Sequence, residues 1–584
     1  MAVMKSEPSS IMERELVQSP ARTALRNFTE NKLAMAGACV FVLIVLTCVV
    51  LPLFFPLDLN YVDMTQQNVV PGYYFLKIPK ELQSGATAVA EGATFGAGLD
   101  GAGKAHVWGQ LSGATLPEKL YRIPEGVVFQ DIACGLDHIV ALGRDGKLYT
   151  WGNDRLGLKD IPPEASGRTI VQIEAGENVS VALDSEGKLY VWGSQNIFKA
   201  NPKLAAGKIV KFAINGVTAI ALTEGGNVVL LSNGELPYSN IPAEIQGKAI
   251  DVALTKNTAA AVTEDGKVWV WGLKEYGLPN VPEAIQGRVT RLSAGRYHYA
   301  ALLEDGSLDA WGMTNFGQDD APAVTGIRQL RSGFFNSVAL DANGKTVSWG
   351  LRGYPLGTDQ YGRDIFRRLL MGGRVTLTVG AISVIIAGII GIIIGGLSGY
   401  YGGRVDMLLM RATEVVHAIP FLPLAIILSA IIGNRISENM RIVMIMFILG
   451  LLSWPSLARL TRAQILAERE NEFVTAAKAM GVKETGIIFR HIMPNVIAVI
   501  LVDLTLELAT CMLIEATLSF LGFGIQEPSA TWGNMLYSCV DSVVIRKFWW
   551  RWMCPAAALS LATISVNAMG DGLRDAIDPK SNDR

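Results

Sequence analysis

The sequence predicts a multi-domain chain, an α-helical transmembrane bundle of six spans with an inserted all-β seven-bladed propeller. Three observations lead there. Long uncharged apolar runs stand at both ends of a soluble middle. That middle returns to a Gly-x-x-x-x-Trp-Gly ending at a nearly constant interval. A basic segment between two of the apolar runs has the pattern of two short helices around a glycine.

A bilayer core of about 30 Å takes about 20 apolar residues as a helix. Residues 33–55 carry no charge and follow Arg22, Arg26 and Lys32. No small-residue cleavage site closes them, so they read as a spanning helix and not as a cleaved signal. Five further spans are expected at 375–403, 415–434, 442–458, 496–523 and 552–570. In the first of these, Gly391, Gly395 and Gly399 recur every fourth residue. That spacing puts small residues on one face and invites a second helix to approach closely. Trp549 and Trp550 precede the last span as an interfacial belt.

Orientation follows the basic residues. Arg459, Arg462, Arg469, Lys478, Lys483 and Arg490 fall between the fourth and fifth spans, which places that segment in the cytoplasm. Both termini then face the cytoplasm and the repeat domain faces outward. Arg363, Arg367, Arg368 and Arg374 run against this rule, because they precede the second span on the outer side. The expected division is a cytoplasmic segment 1–32, a first span 33–55, an extracytoplasmic propeller 85–350, an outer amphipathic connection 351–374, a five-helix core 375–572 with a loop at 463–495, and a cytoplasmic tail 573–584.

Seven repeats fill the middle. Gly103-Lys-Ala-His-Val-Trp-Gly109 has counterparts ending at Gly152, Gly193, Gly272, Gly312 and Gly350, and a degenerate one at Gly226–Ser232. The key positions Trp108, Trp151, Trp192, Leu231, Trp271, Trp311 and Trp349 are 43, 41, 39, 40, 40 and 38 residues apart. Pairs such as Asp145-Gly146 and Asn343-Gly344 are expected to make two-residue hairpin turns. Units of this size bury a core only by stacking, and radial stacking leaves few free edges. The repeats resemble those of the regulator-of-chromosome-condensation (RCC1) family, which implies the propeller fold and core roles for the tryptophans. Gly98–Lys104 nearly spells a phosphate-binding loop, but Ala105 stands where a magnesium-binding hydroxyl would be and the segment reads as a hairpin.

The residues also exclude several functions. A net charge of −2 gives no basis for a nucleic-acid partner. Six scattered cysteines and five dispersed histidines hold no metal-ligand spacing, and no nucleophile–base arrangement indicates a catalytic residue. The chain is therefore expected to be no enzyme, with no metal and no cofactor of its own.

The segment Glu472-Phe-Val-Thr-Ala-Ala-Lys-Ala-Met-Gly481 reads as a helix with Phe473, Ala477 and Met480 on one face, stopped by Gly481. A second short helix should end near Pro494. This segment resembles the "EAA" loop of ABC-importer permeases, with Thr475-Ala476-Ala477 in place of the triplet and Glu472 one turn before. Pro355–Asp364, Glu515–Gly524, Trp532–Met535 and Gly570–Pro579 resemble the C-type permease of dipeptide, oligopeptide and nickel importers. The resemblance implies ATPase coupling through Glu472, Thr475, Ala476, Ala477, Gly481 and Pro494. It implies a second homologous permease, two ATPase subunits that hold ATP and magnesium, and an extracytoplasmic substrate-binding protein.

Charged groups in a span are costly and tend to face a cavity or a partner. Asp503, Glu507 and Glu515 are therefore candidates to line a translocation path; a hydrogen bond to the partner permease or to a helix end is the competing role. The insertion leaves another class of function open, a membrane-anchored propeller that serves as a receptor, a sensor or a docking site for the binding protein.

Overall fold

The computed structural model describes residues 20–577 except 73, 75, 111–116, 195–206, 233 and 433–435. The expected N-terminal segment up to residue 19 and the tail from residue 578 lie outside the described residues. The chain divides into a helical unit, Met1–Tyr61 with Asp364–Arg584, and a β unit, Val62–Arg363.

The β unit contains seven three-stranded antiparallel sheets, each with its strands in sequence order. The sequence showed the middle and outer strands of each blade. The inner strands are Ala88–Glu91, Phe129–Cys134, Ile170–Ala175, Ile209–Asn215, Ala249–Leu254, Val289–Ala294 and Ile327–Ser332. Each neighbours the next, and the last neighbours the first, so the ring closes. Closure is secured where Gln329 accepts from the Val89 amide at 3.3 Å and Thr346 donates to the Leu82 carbonyl at 2.7 Å.

The tryptophans hold the blades together by more than packing. Trp151, Trp192, Trp271, Trp311 and Trp349 each donate an indole N–H to a carbonyl 31 to 34 residues upstream, at 2.9–3.0 Å. A buried indole needs such an acceptor, and these lie in the crossovers entering each blade. The hairpins differ from expectation. In Asp145-Gly146 only the glycine has a positive φ, +76°, and the loop takes four residues. Asp145 instead accepts the Lys147 amide at 3.1 Å, so the aspartate serves as a side-chain turn former.

Two histidines sit wholly inside the ring. His138 bonds Ser180 at 2.9 Å and His298 bonds Ser337 at 2.8 Å, each reaching the next blade. Burial lowers both from 6.5 to about 4. Their folded-state values are depressed, so the unfolded chain binds protons first as pH falls through 6.5. Stability is then lost down to about pH 4, by about 2 kcal/mol per histidine at pH 5. Glu91 acts in the opposite sense, because burial raises its value. The full chain in detergent should melt at lower temperature at pH 5 than at pH 7, and H138Q/H298Q should flatten that dependence. An unchanged slope in the variant would contradict these assignments.

The β unit is wider than 85–350. Residues 62–72 and 354–363 run beside each other, with Asp63 N–H donating to the Tyr361 carbonyl at 3.0 Å and Gly72 bridging Tyr354. The expected connection 351–374 therefore does not exist as one element. Residues to Arg363 complete the β unit, and a helix begins at Ile365.

In the helical unit, α1 spans Pro20–Glu30, α2 Lys32–Phe54, α3 Ile365–Tyr401, α4 Gly403–Ala418, α5 Phe421–Ile432 and α6 Glu438–Glu468. A short α7, Glu472–Ala479, precedes the long α8, Met493–Phe520; then follow α9 Trp532–Tyr537, α10 Ser542–Lys547 and α11 Trp549–Ile577. Five helical runs are long and apolar enough to cross a membrane, and a sixth results if α4 and α5, bent by 77°, count as one span. Pro420 lies at that bend, where its missing N–H interrupts the helix.

The glycine face of α3 receives α6. A Cβ on Gly395 would stand 2.4 Å from the Ala458 carbonyl oxygen, and one on Gly399 2.8 Å from that of Arg462. Away from this seam, Ile385, Ile389 and Ile393 are exposed in register. One face of α3 thus packs against α6 and the other is an apolar stripe left uncovered by this chain. The first and last spans approach as closely, since a Cβ on Gly572 would meet Ala34 at 2.1 Å.

Candidate coupling and translocation site

Helix α7 begins after Asn471, with Glu472 in its first turn, where the helix dipole favours a negative charge. It ends in a two-bond cap. The Val482 amide donates to Ala477 and the Gly481 amide to Lys478, with Gly481 at φ +73°. A Cβ at Gly481 would meet nothing within 4 Å, so the glycine serves its backbone angle and no packing contact.

The buried face of α7 is not the expected one. Val474 and Ala477 are 0% and 1% exposed, whereas Phe473 and Met480 are 38% and 74% exposed. Val474 and Ala477 join Ile487, Ile488, Ile492, Tyr400, Leu457 and Ile465 in one core beneath the segment. This core ties α7 to α3, α6 and the start of α8, and the outward face presents two large apolar side chains. Thr475 and Ala476 also face out, with Glu472 one turn before them, while Ala477 is inside. Lys478 lies 5.2 Å over the Tyr400 ring, and Arg469 donates to the Gly399 carbonyl at the end of α3 at 3.2 Å.

Pro494 does not stop the following helix. Residues Glu484–Phe520 form one continuous run. The turn Ile487–Ile492 is π-helical, and the Met493 amide reaches back five residues to Ile488. Proline at the second residue of α8 costs no regular i→i−4 bond at this widened turn. The short helix expected after Gly481 and the long apolar run are therefore one continuous helix.

Asp503 and Glu507 sit one turn apart in α8, both partly exposed. Glu507 accepts a weak contact from the Cys511 thiol at 3.8 Å. Glu515 differs: it is fully buried, accepting from Thr376 of α3 at 3.0 Å and from Ser519 at 2.7 Å. Those two hydroxyls in turn accept the amides of Trp532 at 3.3 Å and Ile525 at 3.1 Å. Its oxygens are engaged inside the subunit, so Glu515 knits α3, α8 and the α8–α9 loop and does not line a surface. The Trp532–Met535 motif packs on the same place. Thr531 and Asn534 cap α9 reciprocally, and a Cβ on Gly533 would meet the Ala516 Cα at 2.6 Å.

Sequence reasoning missed one polar contact. Asp406 on α4 receives a bidentate pair from Arg462 on α6 at 2.5 and 2.6 Å, and Ser398 donates to the same carboxylate. Three of the four basic residues that ran against the orientation rule also find their reason, while Arg374 is exposed. Arg363 is 3% exposed and pairs with Asp359 at 2.7 Å. Arg368 is 1% exposed, 3.6 Å from Glu527, and Arg367 donates to the Pro56 carbonyl at 3.1 Å. These cations serve the packing of their own units, and the rule concerns free charges in loops.

Residues 389–583 match the family described as the binding-protein-dependent transport system inner membrane component, and 19–71 match the N-terminal transmembrane domain of oligopeptide transport permease C. The RCC1 repeat matches 129–157, 170–196 and 289–318, between them. A peptide permease protein of Brucella suis is 40% identical over 246 residues, 42% of this chain and 78% of that protein. The oligopeptide transport system permease protein of Escherichia coli K12 is 41% identical over 228 residues, 39% of this chain and 73% of that protein. Among solved structures, the CRINKLY ectodomain of the Arabidopsis thaliana receptor kinase ACR4 aligns at a TM-score of 0.36 and 19% identity, covering 46% of this chain and 96% of that one. The chain thus belongs to the multi-pass inner-membrane peptide permeases of ABC importers, and an RCC1-like seven-bladed propeller is inserted between its first two long apolar helices.

Proposed function

We propose that this subunit moves dipeptides or oligopeptides inward, driven by two ATPase subunits that dock on α7 and hold the ATP and magnesium. A second homologous permease completes the path, and an extracytoplasmic binding protein delivers cargo. The observation that carries this reading is the exposed Phe473–Met480 face on a helix rooted in a core shared with α3, α6 and α8. A push on that face moves Glu484–Phe520 as one body, which is what alternating access requires. Glu472, Thr475, Ala476 and Gly481 supply or shape the docking face, and Pro494 lies where the segment passes into the span. Asp503 and Glu507 are the path-facing acids in this reading, able to meet a peptide ammonium. Peptide is favoured over nickel as cargo by the relatives, which are named as peptide permeases.

In the same reading both termini are cytoplasmic and the propeller, 62–363, projects outward and receives the binding protein. Its two ends run together, with Asp63 donating to the Tyr361 carbonyl at 3.0 Å. Excision of 62–363 behind a short linker should therefore leave the helical unit inserted. In vesicles holding the full importer, the intact chain should support ATP-dependent dipeptide uptake and the excised chain about tenfold less at limiting binding protein, a loss of ~1.4 kcal/mol in coupling. Absence of ATP-dependent uptake by the intact chain would refute import; equal uptake by both chains would refute docking on the propeller.

A further inference from the structure

The inner strands of the ring enclose a cavity of about 560 Å³. One end is closed by the chain itself. Arg296, 7% exposed, bonds Asp63 at 2.5 Å and also bonds Glu177, which lies on the opposite side of the ring three blades away. Gln66 from the same entering segment donates to the Ala93 carbonyl at 3.1 Å, next to the end of the first inner strand.

At that closed end stands Glu91. It is 4% exposed, lines the cavity, and neither of its carboxylate oxygens meets a hydrogen-bond partner among the described residues. A buried carboxylate in this condition is unstable as a charge until a cation reaches it, and burial holds its titration well above the ordinary carboxylate range. Of the other cavity charges, Glu174 accepts from the Gln172 side-chain amide at 3.5 Å and two cations pair with acids. Arg331 pairs with Asp131 across the first blade at 2.8 and 2.9 Å, and Lys211 pairs with Asp251. Among the described residues no cluster of three or more metal-ligating side chains is present. The group suited to Glu91 is therefore one with directional N–H donors, an ammonium.

A second charge faces the cavity from its other end. Arg291 lies on the sixth inner strand and is exposed. In the blade register Glu91 corresponds to Ala294, because their partners Gly96 and Tyr299 each pair with the blade's tryptophan. Arg291 is thus three residues further along the axis, about 10 Å at the rise of a strand. An extended peptide of three residues spans about the same length.

We propose that the propeller channel is a binding site for a short zwitterionic peptide, whose α-ammonium donates to Glu91 and whose carboxylate accepts from Arg291. The choice of peptide as ligand rests on the import reading above; the charge geometry does not. The propeller would then hold cargo itself, outside the membrane path.

The test is calorimetric titration of the purified full-length chain with trialanine, N-acetyl-trialanine and trialanine amide. Trialanine should bind, and each blocked peptide should bind ~10- to 100-fold more weakly, the effect of losing one charged hydrogen bond. E91Q should lose affinity for trialanine by the same factor and become indifferent to N-acetylation, and R291Q should become indifferent to amidation. If E91Q does not fold, as judged by tryptophan emission, the blocked peptides on the unaltered chain decide. No binding of trialanine, or equal binding of the N-acetylated peptide, overturns the site, and equal binding of putrescine overturns the zwitterion. ATP-dependent uptake that persists without trialanine binding removes this site and leaves import standing. Binding that depends on Glu91 in a chain that supports no uptake supports the site and removes import.

Discussion

Aspartate at both Phe473 and Met480 is expected to abolish ATP-driven uptake while leaving the subunit folded in the membrane. Both side chains point away from the core, at 38% and 74% exposure, so polar replacements create no buried charge within this chain. In the proposed complex they enter the ATPase cleft, and central apolar anchors of that kind carry ~2 kcal/mol or more each. Two such losses correspond to a fall in association of roughly 1,000-fold. Copurification of the ATPase and uptake in vesicles should fail together, while the melting temperature of the isolated subunit stays within a few degrees. V474D is the contrast. That residue is 0% exposed in the anchoring core, and an unpaired carboxylate there should destabilise the subunit itself. Uptake at the unaltered level in the double variant would show that α7 does not couple.

Leucine at Gly395 is expected to prevent α3 and α6 from assembling. Even a methyl group there would stand 2.4 Å from the Ala458 carbonyl oxygen and 2.6 Å from the Thr461 Cβ. The first of these is helix backbone, which moves only with the helix. Overpacking of this kind costs ~3 kcal/mol or more, a large share of a typical folding free energy. The neighbouring glycine serves as control. A Cβ at Gly396 would meet Ile488 at 3.4 Å, an ordinary contact, so G396A should be tolerated or slightly stabilising through helix propensity. Protease resistance of the detergent-solubilised chain separates the two. Equal resistance of G395L and G396A would show that α6 does not seat on this seam.

Much of this architecture is legible in the amino-acid sequence because it depends on local pattern. Blade number follows from the interval between tryptophans, the spans from uncharged length, and the α3 seam from glycines at every fourth position. The boundaries were less legible. The inner strands carry a polar column such as Asp131, Lys211, Asp251 and Arg291, whose partners come from other blades. Pro494 reads as a stop only if the preceding turn is α-helical, and here it is π-helical.

The candidate site divides along the same line. The short helix Glu472–Ala479 and its glycine stop were visible in consecutive residues. Which face of α7 is buried was not, because Phe473 and Val474 are both apolar and the choice depends on Tyr400, Leu457 and Ile465. Glu515 and Glu91 make the point most clearly. Each is an acidic residue in an apolar stretch, but only the fold supplies one with two hydroxyl partners and leaves the other with none among the described residues. Periodicity and length act through neighbours in the chain, so sequence alone determined the repeats and the spans. Burial and partnership join residues hundreds of positions apart, so only the tertiary structure decided which charges have partners among the described residues.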